Sequence, residues 1–122
     1  MYEYRAQVIR VVDGDTIDFE IDVGFHISLR MRVRLRGVDT PEVRGPSRPQ
    51  GLESAAFVRE QLPEGRWVLL QTYKIGKFGR YIADVRYLPD AVEPDLEELR
   101  ARGLNLADEL LERGLAVTID AS

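Results

Sequence analysis

The sequence predicts a mainly β protein with helices (α+β): five strands closed into a small Greek-key barrel of the OB type, packed with two to three helices. Three observations predict it. Two neighbouring stretches, Ile17 to Val23 and Ile27 to Leu35, alternate apolar and polar residues without a break, the period of a half-buried strand. Turn signals separate five such short stretches. One helical stretch falls between the third and fourth strands, and more helix follows the fifth.

The elements follow in order. Tyr4, Ala6 and Val8 alternate with Arg5 and Gln7, so a strand begins at once. Asp13-Gly14 is a hairpin turn signal. Ile17, Phe19, Ile21 and Val23 then alternate with Asp18, Glu20 and Asp22. Gly24-Phe25-His26 turns the chain, and Ile27, Leu29, Met31, Val33 and Leu35 alternate with Ser28 and four arginines. A three-residue loop sets Val23 opposite Ile27, which puts Glu20 against Arg30, Asp18 against Arg32 and Thr16 against Arg34. For Arg30 and Arg32 this register predicts cross-strand ion pairs, worth a few tenths of a kcal/mol up to ~1 each. Arg34 instead falls beside Asp15, at the mouth of the first turn.

Gly45 to Gly51, with Pro46 and Pro49, reads as a loop. A helix is expected from about Leu52 to Leu62, with Leu52, Ala55, Ala56, Arg59 and Leu62 at helical spacing, stopped by Pro63-Glu64-Gly65. Arg66 to Tyr73 reads as the fourth strand, Lys74 to Gly79 as an exposed loop, and Arg80 to Tyr87 as the fifth strand. Pro89 to Gly103 is an acidic insert with one short helix after Pro94. A last helix runs from about Leu106 to Arg113, capped by Asn105 and ended by Gly114. No repeat or linker divides the chain, so residues 1–122 are expected to form a single domain.

The composition fits that size: 122 residues, 44% hydrophobic and 31% charged, enough for one core. No cysteine is present and His26 is the single histidine, which excludes disulfides, thiolate sites and two-histidine sites. A metal would have to be held through oxygen, which points to calcium or magnesium. The net charge of −4 argues mildly against a nonspecific nucleic-acid binder. No stretch is long and apolar enough to span a membrane, and no signal peptide is seen. A complete chain of this kind is expected in the cytoplasm, as a monomer.

Three stretches carry the chemistry: D-G-D-T at Asp13 to Thr16, R-L-R-G-V-D-T-P-E at Arg34 to Glu42, and K-F-G-R at Lys77 to Arg80. Each alone has an ordinary reading. Asp-Gly is a common turn, and Asp-Thr before Pro is a common strand exit. Together they set Asp15, Asp39 and Glu42 at the ends of neighbouring strands. Clustered carboxylates are costly without a cation, so removing one is expected to stabilise the metal-free protein. Two aspartates with a backbone carbonyl and waters suit calcium. Arg34 and Arg80 offer planar forks for phosphate. Metal, carboxylate and two arginines form a workable phosphodiesterase.

Here the chain resembles the staphylococcal nuclease (thermonuclease) family of calcium-dependent nucleases, over about Tyr4 to Ala116. The resemblance rests on V-D-G-D-T (Val12 to Thr16), R-L-x-G-V-D-T-P-E (Arg34 to Glu42), G-L-E-S-A (Gly51 to Ala55), K-F-G-R (Lys77 to Arg80) and L-L-E-R-G-L-A (Leu110 to Ala116). It implies that Asp15 and Asp39 ligate calcium through their carboxylates and Thr40 through its backbone carbonyl, with Asp13 reaching it through water. It implies that Glu42 orients the attacking water, that Arg34 and Arg80 hold the phosphate in the transition state, and that Lys77 and Phe78 contact the substrate. The implied reaction is hydrolysis of DNA or RNA to 3′-phosphate ends.

Phe78 stands where the family has a pocket tyrosine, the tyrosines expected after the last helix are missing, and the strongly basic surface is absent. A competing reading is a module of this type that binds nucleic acid or protein without cleaving. It is disfavoured because Arg34, Asp15, Asp39, Glu42 and Arg80 are all present. A third is a nuclease whose partner protein docks on the acidic insert. His26 is expected to be exposed at a hairpin tip, Trp67 to pack in the core or between helix and barrel, and Asp84 to lie on the outer face without a role.

Overall fold

The computed structural model describes residues 2–75 and 81–119, with the backbone alone for Lys74 and Ile75. The strands are β1 (Tyr2–Asp13), β2 (Thr16–Asp22), β3 (Ser28–Leu35), β4 (Val38–Asp39), β5 (Trp67–Ile75), β6 (Tyr81–Tyr87), β7 (Leu104–Asn105) and β8 (Val117–Thr118). The helices are α1 (Arg48–Gln61), preceded by a 3-10 turn at Gly45–Ser47, α2 (Leu96–Arg102) and α3 (Leu106–Glu112). Five strands form a barrel in the order β3-β2-β1-β5-β6, antiparallel except where β3 meets β6 in parallel to close it. With the three helices packed on it, this is the OB-type α+β fold that the sequence predicts.

The β2–β3 register is the expected one: Glu20 opposes Arg30, Asp18 opposes Arg32 and Thr16 opposes Arg34. Gly24, Phe25 and His26 all take positive φ, at 87°, 55° and 60°, and they hold the strands apart by three residues. The charged pairs behave differently from one another. Arg32 closes on Asp18 at 2.8 Å, whereas Glu20 and Arg30 stand opposite each other without an ion pair.

Inward-facing residues of every barrel strand form the core, among them Val8, Phe19, Val33, Leu70, Val85 and Tyr87. Val58 and Leu62 cover it from α1, and Leu106 and Leu110 from α3. Asn105 caps α3 as expected, accepting from the Ala107 and Asp108 amides. His26 is exposed. Trp67 lies half-buried under the Arg5 guanidinium, 4.1 Å from the ring centre. Asp84 does sit on the outer face, but it is engaged there: it accepts from the Tyr73 hydroxyl at 2.9 Å and lies 3.9 Å from Arg36.

Several boundaries differ from the sequence reading. The helix expected from Leu52 begins at Arg48, because Pro49 sits in its first turn, where its missing N–H costs nothing. Its buried face is Gly51, Ser54, Ala55 and Val58; of the five residues at helical spacing, Ala55 and Leu62 are buried, whereas Leu52, Ala56 and Arg59 are exposed. Small residues face inward because α1 lies close on the chain beneath it. A Cβ on Gly51 would fall into the Glu42 carbonyl and 2.8 Å from that of Pro41. The fourth strand runs on to Ile75, two residues into the expected loop.

Two very short ladders escaped prediction, β4 with β8 and β6 with β7. The acidic stretch after Pro89 is anchored rather than free, since Leu99 of α2 is buried against Leu69 and Leu88. No helix among the described residues is long and apolar enough to cross a membrane.

Candidate active site

The β1–β2 turn places Asp15. Gly14 makes this possible: an added Cβ would meet Ser54 Cβ at 2.9 Å and Thr40 Cγ2 at 3.0 Å. The turn is therefore pressed against α1 and the strand exit at Thr40. The Asp15 backbone carbonyl accepts from the Leu35 amide at 2.8 Å. Its carboxylate is only 4% exposed, yet every side of it is served. Oδ1 accepts from the Thr16 hydroxyl at 2.9 Å, and Oδ2 from the Thr40 backbone N–H at 3.1 Å. A buried carboxylate with this many donors is held in one place.

Arg34 then joins two carboxylates. Its Nη1 lies 3.3 Å from Asp15 Oδ2, and its Nη2 lies 3.0 Å from Asp39 Oδ1. The same Nη2 is 3.4 Å from the Val38 carbonyl. One guanidinium thus bridges two anions that the β1–β2 turn and β4 bring side by side, and it offsets the repulsion expected of them. Asp39 is held from the other side by the β4–β8 ladder, where it opposes Val117.

The donors here are of the kind calcium takes. The oxygens are hard, two carboxylates already share one cation, and the Thr40 hydroxyl is buried without a hydrogen-bond partner. Among the described residues, no three carboxylate or imidazole side chains come together as a ready-made cage. Further ligands to an ion here would be backbone oxygen and water, as the sequence reading supposes.

Glu42 takes part in none of these contacts. It is exposed, and it lines a cavity of about 580 Å³ with Asp13, Arg10, Arg44 and Arg59. Asp39 and Thr40 line a different one, of about 350 Å³, with Gln50, Glu53 and Arg113. Direct contacts thus bring Arg34, Asp15, Asp39 and Thr40 together, and Glu42 and Asp13 line a common hollow. Lys77, Phe78 and Arg80 lie outside the described residues; β6 begins at Tyr81 opposite Val33, the neighbour of Arg34.

Sequence reasoning missed three arginines around Glu42. Their signal is position: Arg10 comes three residues before Asp13, and Arg44 two after Glu42. Arg59 is exposed on α1, and its side chain reaches to β1, where its Nη2 lies 3.4 Å from the Val11 carbonyl.

Residues 32–122 match the family model described as "Staphylococcal nuclease homologue". The match starts after the Asp13–Thr16 turn. Two curated relatives are similar. One is "Probable endonuclease LCL3" of Schizophyllum commune, 32% identical over 93 residues, which cover 74% of this chain and 30% of that protein. The other is "Protein ParB" of Escherichia coli, 34% identical over 86 residues, covering 68% of this chain and 42% of that protein. The aligned stretch spans less than half the length of either relative.

Proposed function

Because the chain belongs to the staphylococcal nuclease homologue family, we propose that it is a calcium-dependent nuclease, hydrolysing phosphodiester bonds of DNA or RNA with water and leaving 3′-phosphate ends. The relative named as a probable endonuclease supports this reading. The observation that carries it is the Arg34 fork laid across Asp15 and Asp39. A surface ion pair needs one carboxylate. A residue that waits to exchange carboxylate for phosphate needs a second cation to take its place.

In this reading Asp15, Asp39 and the Thr40 carbonyl hold calcium, with Asp13 reaching it through water. Bound there, calcium would supply positive charge against the phosphate as negative charge builds up. Arg34, released from the carboxylates, lays its two N–H groups on phosphate oxygens, a geometry a lysine cannot copy. Glu42 orients the attacking water and takes its proton as the new oxygen–phosphorus bond forms. The bond to the 5′-oxygen breaks, and Arg80 eases that departure. Lys77 and Phe78 contact the neighbouring nucleotide. A general base of this kind typically contributes 10²–10⁴-fold.

The test is cleavage of plasmid and single-stranded DNA and of RNA, in millimolar calcium and in chelator, with wild type and Glu42→Gln. Calcium-dependent cleavage that falls at least about tenfold in the variant, roughly 1.4 kcal/mol of barrier, is expected. Absence of cleavage by wild type, or cleavage indifferent to chelator, would overturn it. One observation favours a second reading, a binding module: Glu42 is exposed and takes part in none of the contacts that join Arg34, Asp15, Asp39 and Thr40. Oligonucleotide binding without any cleavage would select it.

A further inference from the structure

The cavity beside Glu42 is built from three separate elements, and each contributes a guanidinium: Arg10 from β1, Arg44 from the loop after β4, and Arg59 from α1. We propose that these three arginines seat a second backbone phosphate of the substrate strand, next to the one that is cleaved. The proposal rests on the nuclease reading and deepens it: it assigns residues to a neighbouring phosphate of the strand, outside the group that handles the scissile one.

Charge is the first argument. The wall carries three arginines against two carboxylates, Asp13 and Glu42, on a chain whose net charge is −4. The local balance is opposite to that of the molecule. The arginines are also poorly served as they stand. Arg10 is 3.7 Å from Asp18, whose closer partner is Arg32 at 2.8 Å. Among the described residues Arg59 reaches only the Val11 carbonyl, at 3.4 Å. Arg44 closes no ion pair among the described residues. Three guanidiniums around one hollow outnumber its carboxylates, and a phosphate can neutralise the excess with charge-assisted bonds from planar forks.

Shape and place are the second argument. A volume of about 580 Å³ lies within the usual range of small-ligand sites, room for a nucleotide unit. Val12 and Val43, both half-buried, line it as well, apolar surface for a sugar or a base. Glu42 forms part of the wall, and Asp13 is two residues from Asp15. A strand whose reacting phosphate rests on Arg34 would pass over Glu42 and enter this hollow with its next phosphate.

The experiment compares wild type with Arg44→Gln/Arg59→Gln. Binding of a labelled single-stranded oligonucleotide is followed in chelator, so that no cleavage intervenes, across a salt series. The slope of log K against log salt should fall by about 0.7 for each phosphate that the variant no longer neutralises. In calcium, kcat/KM is measured on a long oligonucleotide and on a minimal substrate with only the scissile phosphate. The advantage of the long substrate should shrink in the variant.

An unchanged salt slope, or an equal loss on both substrates, would overturn the proposal. Should the double variant fail to fold, Arg44→Gln alone serves, since that side chain sits in an exposed loop. If wild type binds oligonucleotide with the expected slope change but cleaves nothing, the nuclease reading falls and the phosphate seat stands. If wild type binds no oligonucleotide, the seat falls.

Discussion

Asp15→Asn is the most informative single change, because the structure reverses the sign expected from sequence. A cluster of bare carboxylates would gain stability on losing one. Here Asp15 is paired with Arg34 at 3.3 Å and bonded to the Thr40 amide and Thr16 hydroxyl. An asparagine can keep its carbonyl oxygen on the Thr40 N–H, and the Thr16 hydroxyl can turn to accept from its amide. What is lost is charge: two charge-assisted bonds become neutral ones, and Arg34 retains only Asp39. Hydrogen bonds to charged groups are worth about 1.5–3 kcal/mol against about 1 for neutral ones. The net loss should be about 1–3 kcal/mol, after allowing for the relief of Asp15–Asp39 repulsion.

For a chain of this size that is a fall of about 4–12 °C in Tm without metal. Wild type should gain about 2.7 kcal/mol at a hundredfold excess of calcium over Kd, and the variant little. The assay is a melting series of both proteins in chelator and in millimolar calcium. A higher Tm for Asp15→Asn in chelator would refute the bridging role given to Arg34. Equal calcium shifts in the two proteins would place the ion elsewhere.

Arg34→Lys should lose turnover by about a hundredfold or more while the charge remains, since an ammonium cannot span Asp15 and Asp39 or two phosphate oxygens; single-turnover rates check it. Gly51→Ala would gain up to about 1 kcal/mol of helix propensity, but its Cβ collides with the Glu42 carbonyl. Tm should fall by overpacking of about 1–3 kcal/mol, and a shift of ~1 Å at Glu42 could cost about a hundredfold in rate; a stable, fully active variant would contradict the close approach. Burial, with Glu112 and Asp108 nearby, raises the Glu109 carboxyl above its usual value. The folded protein then binds the proton more tightly than the unfolded one. Stability falls as pH rises from the ordinary carboxylate range through the raised value. Glu109→Gln should therefore raise Tm slightly at pH 7, within about 0.5 kcal/mol, and the gain should vanish near pH 4.

The barrel was legible where pattern and turn agreed. β2 and β3 carry unbroken alternation, and a three-residue turn leaves one register that buries Ile17, Phe19 and Val33 together. That register also brought Arg34 to Asp15, so half of the site could be read from spacing. The start of α1 could not, because Pro49 and Gly51 are loop residues by propensity. Only the approach of the Glu42 carbonyl explains the glycine. Nor could the place of Glu42 be read. Its motif marks a strand exit, but which hollow it lines depends on where β1 and α1 send Arg10 and Arg59. The two-residue ladders of β4 and β8 are too short to leave any period.

Those short ladders have a consequence for when the acidic site can exist. Asp39 pairs with Val117, Val38 with Thr118, and the Ile119 amide donates to the Gly37 carbonyl. Ser54, behind Gly14, donates to the Leu115 carbonyl at 2.7 Å. Both the loop that carries Asp39 and the helix that backs Asp15 are thus fastened by residues 115–119. The acidic site is therefore whole only while residues 115–119 are docked: an opening of that segment, short of unfolding the barrel, loosens the Asp39 loop and the backing of Asp15 together.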